Sequence, residues 1–424
     1  MRIRVVAVLA VAALAVAACS NSTSKSGGSN SGGSGNGSAN SQPGVTKDTI
    51  RTAGVASITN PLNAPYGDLQ KGVQAYYNMV NKSGGIYGRK LVFVKMHDDQ
   101  VGNNSTEVQA MLDQDNIFAA VGMATIASFS GAKLLAQQNV PTFGWNINDE
   151  WAGPKNFFGN VGAECNGCVG GDLPYFAQQL GKKKVAVLAY NVANSKLCAQ
   201  GIKKSFDKYP TAKVVVYDDT LSFGDQSFVG PSVRKMKDNG VDLVMTCMDT
   251  NAVLAIGKQM KQDGVNAIQY LPNAYDHDFL KQNSQFFQGS IVRIPFAPFE
   301  STAKPQGLSD YLKWMKKSGY TPSEYTTYGW INASMLYDGL KAAGPDFTRQ
   351  KVIDALNKMT HVDANGLAAF VDWTIQHTEK QPPLTCAAYV KIQGSKFVPT
   401  FVPNGKNFAC TTKNFTPNDK PSYQ

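Results

Sequence analysis

Between residues 49 and 294 the chain sustains one alternation: a short apolar run, then a longer stretch whose apolar residues recur three and four apart. The fullest period is 66–99, YGDLQKGVQAYYNMVNKSGGIYGRKLVFVKMHDD. Leu69, Val73, Tyr76, Tyr77 and Val80 fall on a single helical stripe. Lys82 closes that helix where a cation suits the dipole, and Gly84-Gly85 supply a left-handed cap. The run 91–96 is apolar on nearly every residue, which predicts a parallel strand covered on both faces. Strands of this kind alternating with helices require a parallel, doubly wound sheet, so the fold class is α/β.

The same reading predicts strands over 49–56, 117–121 and 140–144, with helices over 105–113 and 128–138. After residue 171 the pattern restarts. Helices are expected over 172–180, 195–209, 228–239 and 252–262, with strands over 185–190, 213–217, 241–247, 268–271 and 290–294. Two consecutive α/β lobes follow, with no sequence repeat between them, and 424 residues are enough for two cores. Helical stretches over 307–342 and 349–358 have the periodicity to cap either lobe.

The chain begins with Arg2 and Arg4, followed by an apolar run over 5–16. That run is shorter than the about 18–20 residues a membrane span needs, so residues 1–18 read as an export signal. Val16-Ala17-Ala18-Cys19 resembles a bacterial lipobox and predicts cleavage before Cys19 with acylation of its thiol. The plainer alternative is an ordinary small-residue cleavage site followed by a free cysteine. Residues 20–44 are Ser, Gly and Asn with almost no apolar side chain. With Cys19 they make a flexible tether, 19–44, of roughly 25–30 Å reach. Such a leash suits a protein that catches and delivers a solute, and it suits an anchored enzyme equally well.

The formal charge of +10 includes Arg2 and Arg4, and the remaining basic residues are scattered apart from Lys182-Lys183-Lys184 in a turn. No nucleic-acid partner is therefore expected. Of seven cysteines, six follow Cys19. An even remainder in an exported chain favours three disulfides, and the preferred pairing is Cys165 with Cys168, Cys198 with Cys247, and Cys386 with Cys410. Cys165-Asn166-Gly167-Cys168 lacks the preceding core strand of a thioredoxin-like motif and the second close pair of a zinc site. No nucleophile elbow, phosphate loop or dinucleotide fingerprint is present. His97-Asp98-Asp99 reads as a strand-end polar turn rather than an acid–base cluster. Asp276-His277-Asp278 reads as a solvated turn or ligand-bonding loop at a cleft edge rather than a catalytic dyad. No catalysis, cofactor or metal is expected.

One set of residues is more specific. Residues 54–57, Pro61, Tyr66-Gly67, Gly72, Gly84-Gly85-Ile86 and Gly88-Arg89-Lys90 are followed far downstream by Tyr325-Thr326-Thr327-Tyr328. Together with the lipobox and tether, this pattern resembles the branched-chain amino-acid-binding (leucine/isoleucine/valine-type) family. These are the substrate-binding lipoproteins of ABC importers, with the type I periplasmic binding protein fold. The resemblance runs over about residues 45–394. It implies two doubly wound parallel-sheet lobes joined by a three-crossing hinge. Lobe 1 would take 45–163 plus 296–365, and lobe 2 would take 164–295 plus 366–424. The 307–358 helices would then return to the first lobe.

In such folds a ligand sits between the lobes at the carboxyl ends of the strands, and closure buries it from both sides. The resemblance then implies ligand contacts at Ser57, Thr59, Tyr66, Ala127, Ser128, Trp145, Asn146 and Asn148 on the first lobe. On the second it implies Asn194, Asp249, Tyr275 and Asp276. Helix N–H groups at 126–128 would suit a carboxylate, and Trp145 offers stacking area that a core does not require. The family tends to place small and hydroxyl residues where this chain has Trp145-Asn146-Ile147-Asn148. The acid that would hold an α-ammonium is not clearly in register, with Asp276 near the expected position and Asp249 on a neighbouring loop. The expected solute is therefore an amino acid or a related amide or aromatic compound. The expected protein is a monomeric, lipid-anchored, extracytoplasmic solute receptor that delivers to an ABC permease and its ATPase. The alternatives are a sensory lipoprotein that signals to a membrane receptor, or a cell-envelope enzyme.

Overall fold

The structure is a computed structural model that describes residues 42–160, 167–378 and 381–424. The export signal, Cys19, most of the tether and Cys165 lie outside the described residues. Five strands form a first sheet: β1 (Thr49–Ala56), β2 (Lys90–Asp98), β3 (Ala119–Met123), β4 (Thr142–Gly144) and β5 (Phe157–Gly159). They are all parallel, in the order β2-β1-β3-β4-β5. Between them run α1 (Leu69–Lys82), α2 (Asn104–Gln114) and α3 (Ala132–Gln137). The five α1 residues of the expected stripe are all buried. Its end is capped as the glycines require: Gly84 and Gly85 have φ of 98° and 79°, and Gly85 N–H donates to the Val80 carbonyl at 3.0 Å. The run 91–96 differs from expectation. As part of the edge strand β2, it leaves Val92, Phe93 and Val94 only half-buried, because no strand among the described residues covers its outer side.

The second sheet begins after α4 (Asp172–Gln179) with β6 (Lys184–Tyr190), α5 (Ala193–Lys208), β7 (Lys213–Leu221) and α6 (Val229–Asn239). Next come β8 (Leu243–Cys247), α7 (Thr250–Asp263), β9 (Ile268–Leu271), α8 (His277–Asn283) and β10 (Ile291–Ile294). These strands are parallel in the order β7-β6-β8-β9-β10. In each sheet the order reverses beside the strand that comes first along the chain, which opens a crevice at the strands' carboxyl ends.

The expected 307–342 helix is two helices, α9 (Gln306–Lys317) and α10 (Glu324–Ala343). Gly319, at φ 74°, ends the first, and a capping box between Ser323 and Thr326 starts the second. Both pack on α1, and α10 also meets β3 and β4. The α1–α10 approach depends on glycine at two points. A Cβ on Gly72 would lie 1.8 Å from the Thr326 carbonyl oxygen, and one on Gly329 would lie 1.9 Å from that of Leu69. Next, α11 (Arg349–Leu356) is tied to the first sheet by Arg349, whose guanidinium donates to the carbonyls of Phe118 at 2.9 Å and Ile117 at 2.7 Å.

Short α12 (Trp373–Gln376) leads back to the second sheet. There β11 (Leu384–Gln393), β12 (Lys396–Thr400), β13 (Ala409–Thr412) and β14 (Ser422–Tyr423) add antiparallel strands. Cys386 and Cys410 are register partners in β11 and β13 and are disulfide-bonded, so the pinned tail is a sheet extension. Cys198 in α5 is bonded to Cys247 at the end of β8. Cys168 is disulfide-bonded as well, and Cys165 lies outside the described residues.

His97, expected in a strand-end polar turn, lies within the last residues of β2 and is buried. Its ring is 1% exposed, with Nδ1 2.9 Å from Glu107 and Nε2 2.7 Å from Asp115, so it is a polar strut between β2 and the ends of α2. Among the described residues no metal-ligating cluster forms, and no helix is long and apolar enough to cross a membrane.

Candidate functional site

The carboxyl ends of strands from both sheets meet around a cavity of about 450 Å³. That size is typical of a site for one small organic molecule. Tyr66, on the turn that leads into α1, and Trp145, which directly follows β4, form its first-sheet wall. Their rings stack at 5.5 Å with planes 21° apart. Tyr325 meets Tyr66 edge-on at 5.2 Å, and Tyr328 stacks on Trp145 at 6.3 Å. The TTY segment of α10 thus backs the aromatic wall rather than only opening a helix.

From the second sheet come Tyr190 at the end of β6, Asn194 at the start of α5, and Asp249 between β8 and α7. Asp249 is buried and caps α7: one carboxylate oxygen accepts from Asn251 N–H at 2.8 Å and Ala252 N–H at 3.4 Å. The other oxygen accepts the Tyr190 hydroxyl. Burial, reinforced by the Asp249 charge, pushes the phenols of Tyr66 and Tyr190 well above the usual tyrosine range. Asp249 thus acts electrostatically on Tyr66, on the other wall of the cavity. Ser195 braces this wall by donating to the Cys247 carbonyl at 2.5 Å and accepting Tyr190 N–H at 2.8 Å.

Behind the aromatic wall sits Glu324, buried in the first turn of α10. It accepts the Tyr328 hydroxyl at 2.7 Å and Tyr275 N–H at 3.2 Å. Tyr275 belongs to the β9–α8 loop, so this carboxyl joins the helix packed on the first sheet to a loop of the second. Burial holds its pKa up to about 7.

Of the residues named from sequence, Tyr66, Trp145, Asn194 and Asp249 line the cavity. The others have different work. Ser57 is buried and its hydroxyl accepts Ile126 N–H at 3.2 Å, holding a lining residue from behind. Thr59 is exposed, its N–H on Asp98. Ala127 and Ser128 are exposed, and Ser128 donates to Glu150 at 3.0 Å. The helix expected to start at residue 128 starts at Ala132, because Phe129 turns inward against Trp151 and Phe157. The N–H groups of 126–128 therefore form no helix end for a carboxylate. Asn146 packs against Gly159, and Asn148 donates to the Ala127 carbonyl. Tyr275 is fully buried and donates to Glu300 at 2.5 Å. Asp276 caps α8 through Phe279 N–H.

Sequence reasoning missed Asn160, Tyr190, Thr246, Arg293 and Tyr328, all of which line the cavity. Tyr190 and Thr246 sit inside apolar strand runs, where nothing in the sequence marks which face they take. Asn160 follows a three-residue strand, too short for a periodicity to show.

Comparisons with known proteins agree with this architecture. The sequence pattern of the family described as periplasmic binding protein matches residues 49–396. The chain is 27% identical over 305 residues to the Leu/Ile/Val-binding protein homolog 1 of Brucella abortus (strain 2308), covering 68% of this chain and 76% of that one. Its fold resembles a branched-chain amino acid ABC transporter protein from Thermus thermophilus with bound valine. That match has a TM-score of 0.68 and 17% identity, over 84% of this chain and 96% of that one. It also resembles an R. palustris solute-binding protein in complex with benzoate, with a TM-score of 0.66 and 16% identity, over 83% and 95% of the two chains.

Proposed function

The chain belongs to the periplasmic binding protein family, and from that premise we propose that it captures one small organic solute between its two sheets and delivers it to an ABC importer. The observation that carries this reading is the cavity itself. It is walled by Tyr66 and Trp145 from one sheet and Tyr190 and Asp249 from the other, so a bound solute touches both. A ligand that contacts both halves favours the closed arrangement by its differential affinity. Stacked aromatic rings supply apolar contact area, and a few buried polar groups fix orientation, as binding of an amino acid or a related amide or aromatic compound requires.

The rest of the assignment follows from the chain's start. Cleavage before Cys19 and acylation of its thiol hold the folded body outside the membrane on the 19–44 tether, as a monomer within reach of a permease and its ATPase. The lobes exchange chain as 45–163 plus 296–365 and 164–295 plus 366–424. The residues proposed to touch solute are Tyr66, Trp145, Asn194 and Asp249, with Tyr190 and Tyr328 added. A receptor of this kind performs no chemistry on its ligand.

A thermal-shift screen of the mature protein against amino acids, amides, sugars and aromatic acids tests the reading. A solute at 100 times its Kd adds about 2.7 kcal/mol of stability. Stabilisation by one narrow solute class is the expected result; consumption of that solute by the purified protein would overturn the assignment.

A further inference from the structure

We propose, resting on the solute-capture reading, that Asn160 selects the solute, and that the solute offers it an uncharged amide edge: a carbonyl oxygen beside an N–H, as in a carboxamide, a urea or a lactam. Asn160 is the first residue after β5, 2% exposed, and lines the cavity. Its backbone is fixed, since its N–H donates to the Gly144 carbonyl at 3.0 Å. Its side chain is another matter: neither Nδ2 nor Oδ1 has a hydrogen-bond partner among the described residues. Thr246, in β8, also lines the cavity at 2% exposure with its hydroxyl unpartnered among the described residues. Buried polar groups left without partners are destabilising, and such groups at a cavity wall mark where a ligand completes them.

Four charged residues line the cavity: Asp172, Asp249, Arg293 and Lys413. Asp249 has both oxygens engaged, one by the amides of α7 and the other by Tyr190. Arg293 is hydrogen-bonded to the Tyr389 hydroxyl. The buried side-chain groups at the cavity wall that have no partner among the described residues are neutral, among them the Asn160 amide, with two donors and an acceptor, and the Thr246 hydroxyl. A carboxylate would satisfy Nδ2 and set its charge against Oδ1, and an ammonium would satisfy Oδ1 and repel Nδ2. An amide edge satisfies both at once in one plane, the way Asn and Gln side chains read a base edge. The pairing is the same whichever way the Asn160 amide is turned.

The test is calorimetry at pH 7.5 on the mature protein with amide and carboxylate twins of one skeleton: isobutyramide against isobutyrate, and benzamide against benzoate. The amide of at least one pair should bind about tenfold or more tighter than its carboxylate. Asn160→Leu should erase that preference and, by removing an orphaned amide, raise the melting temperature of the ligand-free protein. A residue with a merely structural role would lower it. Tighter or equal binding of the carboxylates, a preference that survives Asn160→Leu, or a lower ligand-free melting temperature would each overturn the proposal. If solutes without an amide edge bind and the amides do not, the selectivity claim fails and solute capture stands. If no solute of any class binds, both fail.

Discussion

Glu324→Gln should change how the protein's stability responds to pH. In the folded protein burial raises the Glu324 carboxyl from an ordinary 4.5 to about 7. The folded state therefore holds a proton that the unfolded state has already lost between those two values. Stability falls as pH rises through that window and is level above it. The gap corresponds to about 3 kcal/mol between pH 4.5 and pH 8. Glutamine keeps the shape without the charge. It still accepts one of the two hydrogen bonds from Tyr328 and Tyr275, losing about 1 kcal/mol where its NH2 faces the other donor. The variant should be slightly less stable than the parent at pH 4.5 and about 2 kcal/mol more stable at pH 8. Asp338, also raised by burial to about 6, is common to both proteins and cancels in the comparison. Urea unfolding of both proteins at pH 4.5, 6 and 8 measures the difference directly. Parallel pH profiles for the two proteins would refute the claim that Glu324 is a buried, proton-holding link.

Three further outcomes are expected. Trp145→Ala should weaken solute binding more than about tenfold with the fold intact, because it removes the stacked face behind Tyr66; unchanged calorimetric affinity would take Trp145 out of the site. Gly72→Ala should destabilise by about 1–3 kcal/mol in denaturant titration, since its methyl group must push the Thr326 carbonyl away and part α1 from α10. Replacing Cys198 and Cys247 by serine should cost about 2–4 kcal/mol by releasing a 49-residue separation in the unfolded chain, and should loosen a cavity wall that both residues line, read as a lower melting temperature with weaker binding.

The fold was legible where packing demands are local. The α1 stripe, its Gly84-Gly85 cap and the β1 strand follow from spacing alone, and their bounds agree closely with expectation. Three kinds of feature escaped. β5 is three residues of Phe-Phe-Gly, which no period of two can mark, yet it carries Asn160 to the cavity. The break between α9 and α10 is written in Gly319 and Ser323 but hidden by apolar spacing that continues across it. The antiparallel tail has a Gly394 turn between β11 and β12, at φ 60°, which is a hairpin cue in plain view.

The site was legible only at the level of loops. A strand's carboxyl end names a neighbourhood, and tertiary contacts then decide which side chain faces the ligand. Trp145 turns into the cavity, whereas its neighbour Asn148 turns back to the Ala127 carbonyl. Asp249 and Asp276 both cap helices, but only Asp249 also lines the cavity. Tyr275 looked like a contact residue and is instead a fully buried link to Glu324 and Glu300.

The central claim, capture without chemistry in the cavity between the sheets, is tested most directly by titrating the mature protein with the best solute from the screen. Bound solute is then released by denaturation and identified by mass spectrometry. One equivalent per chain, recovered unaltered and lost in a Trp145→Ala, Asn160→Leu double variant, is the predicted result. Altered solute, or full binding by the double variant, would contradict it.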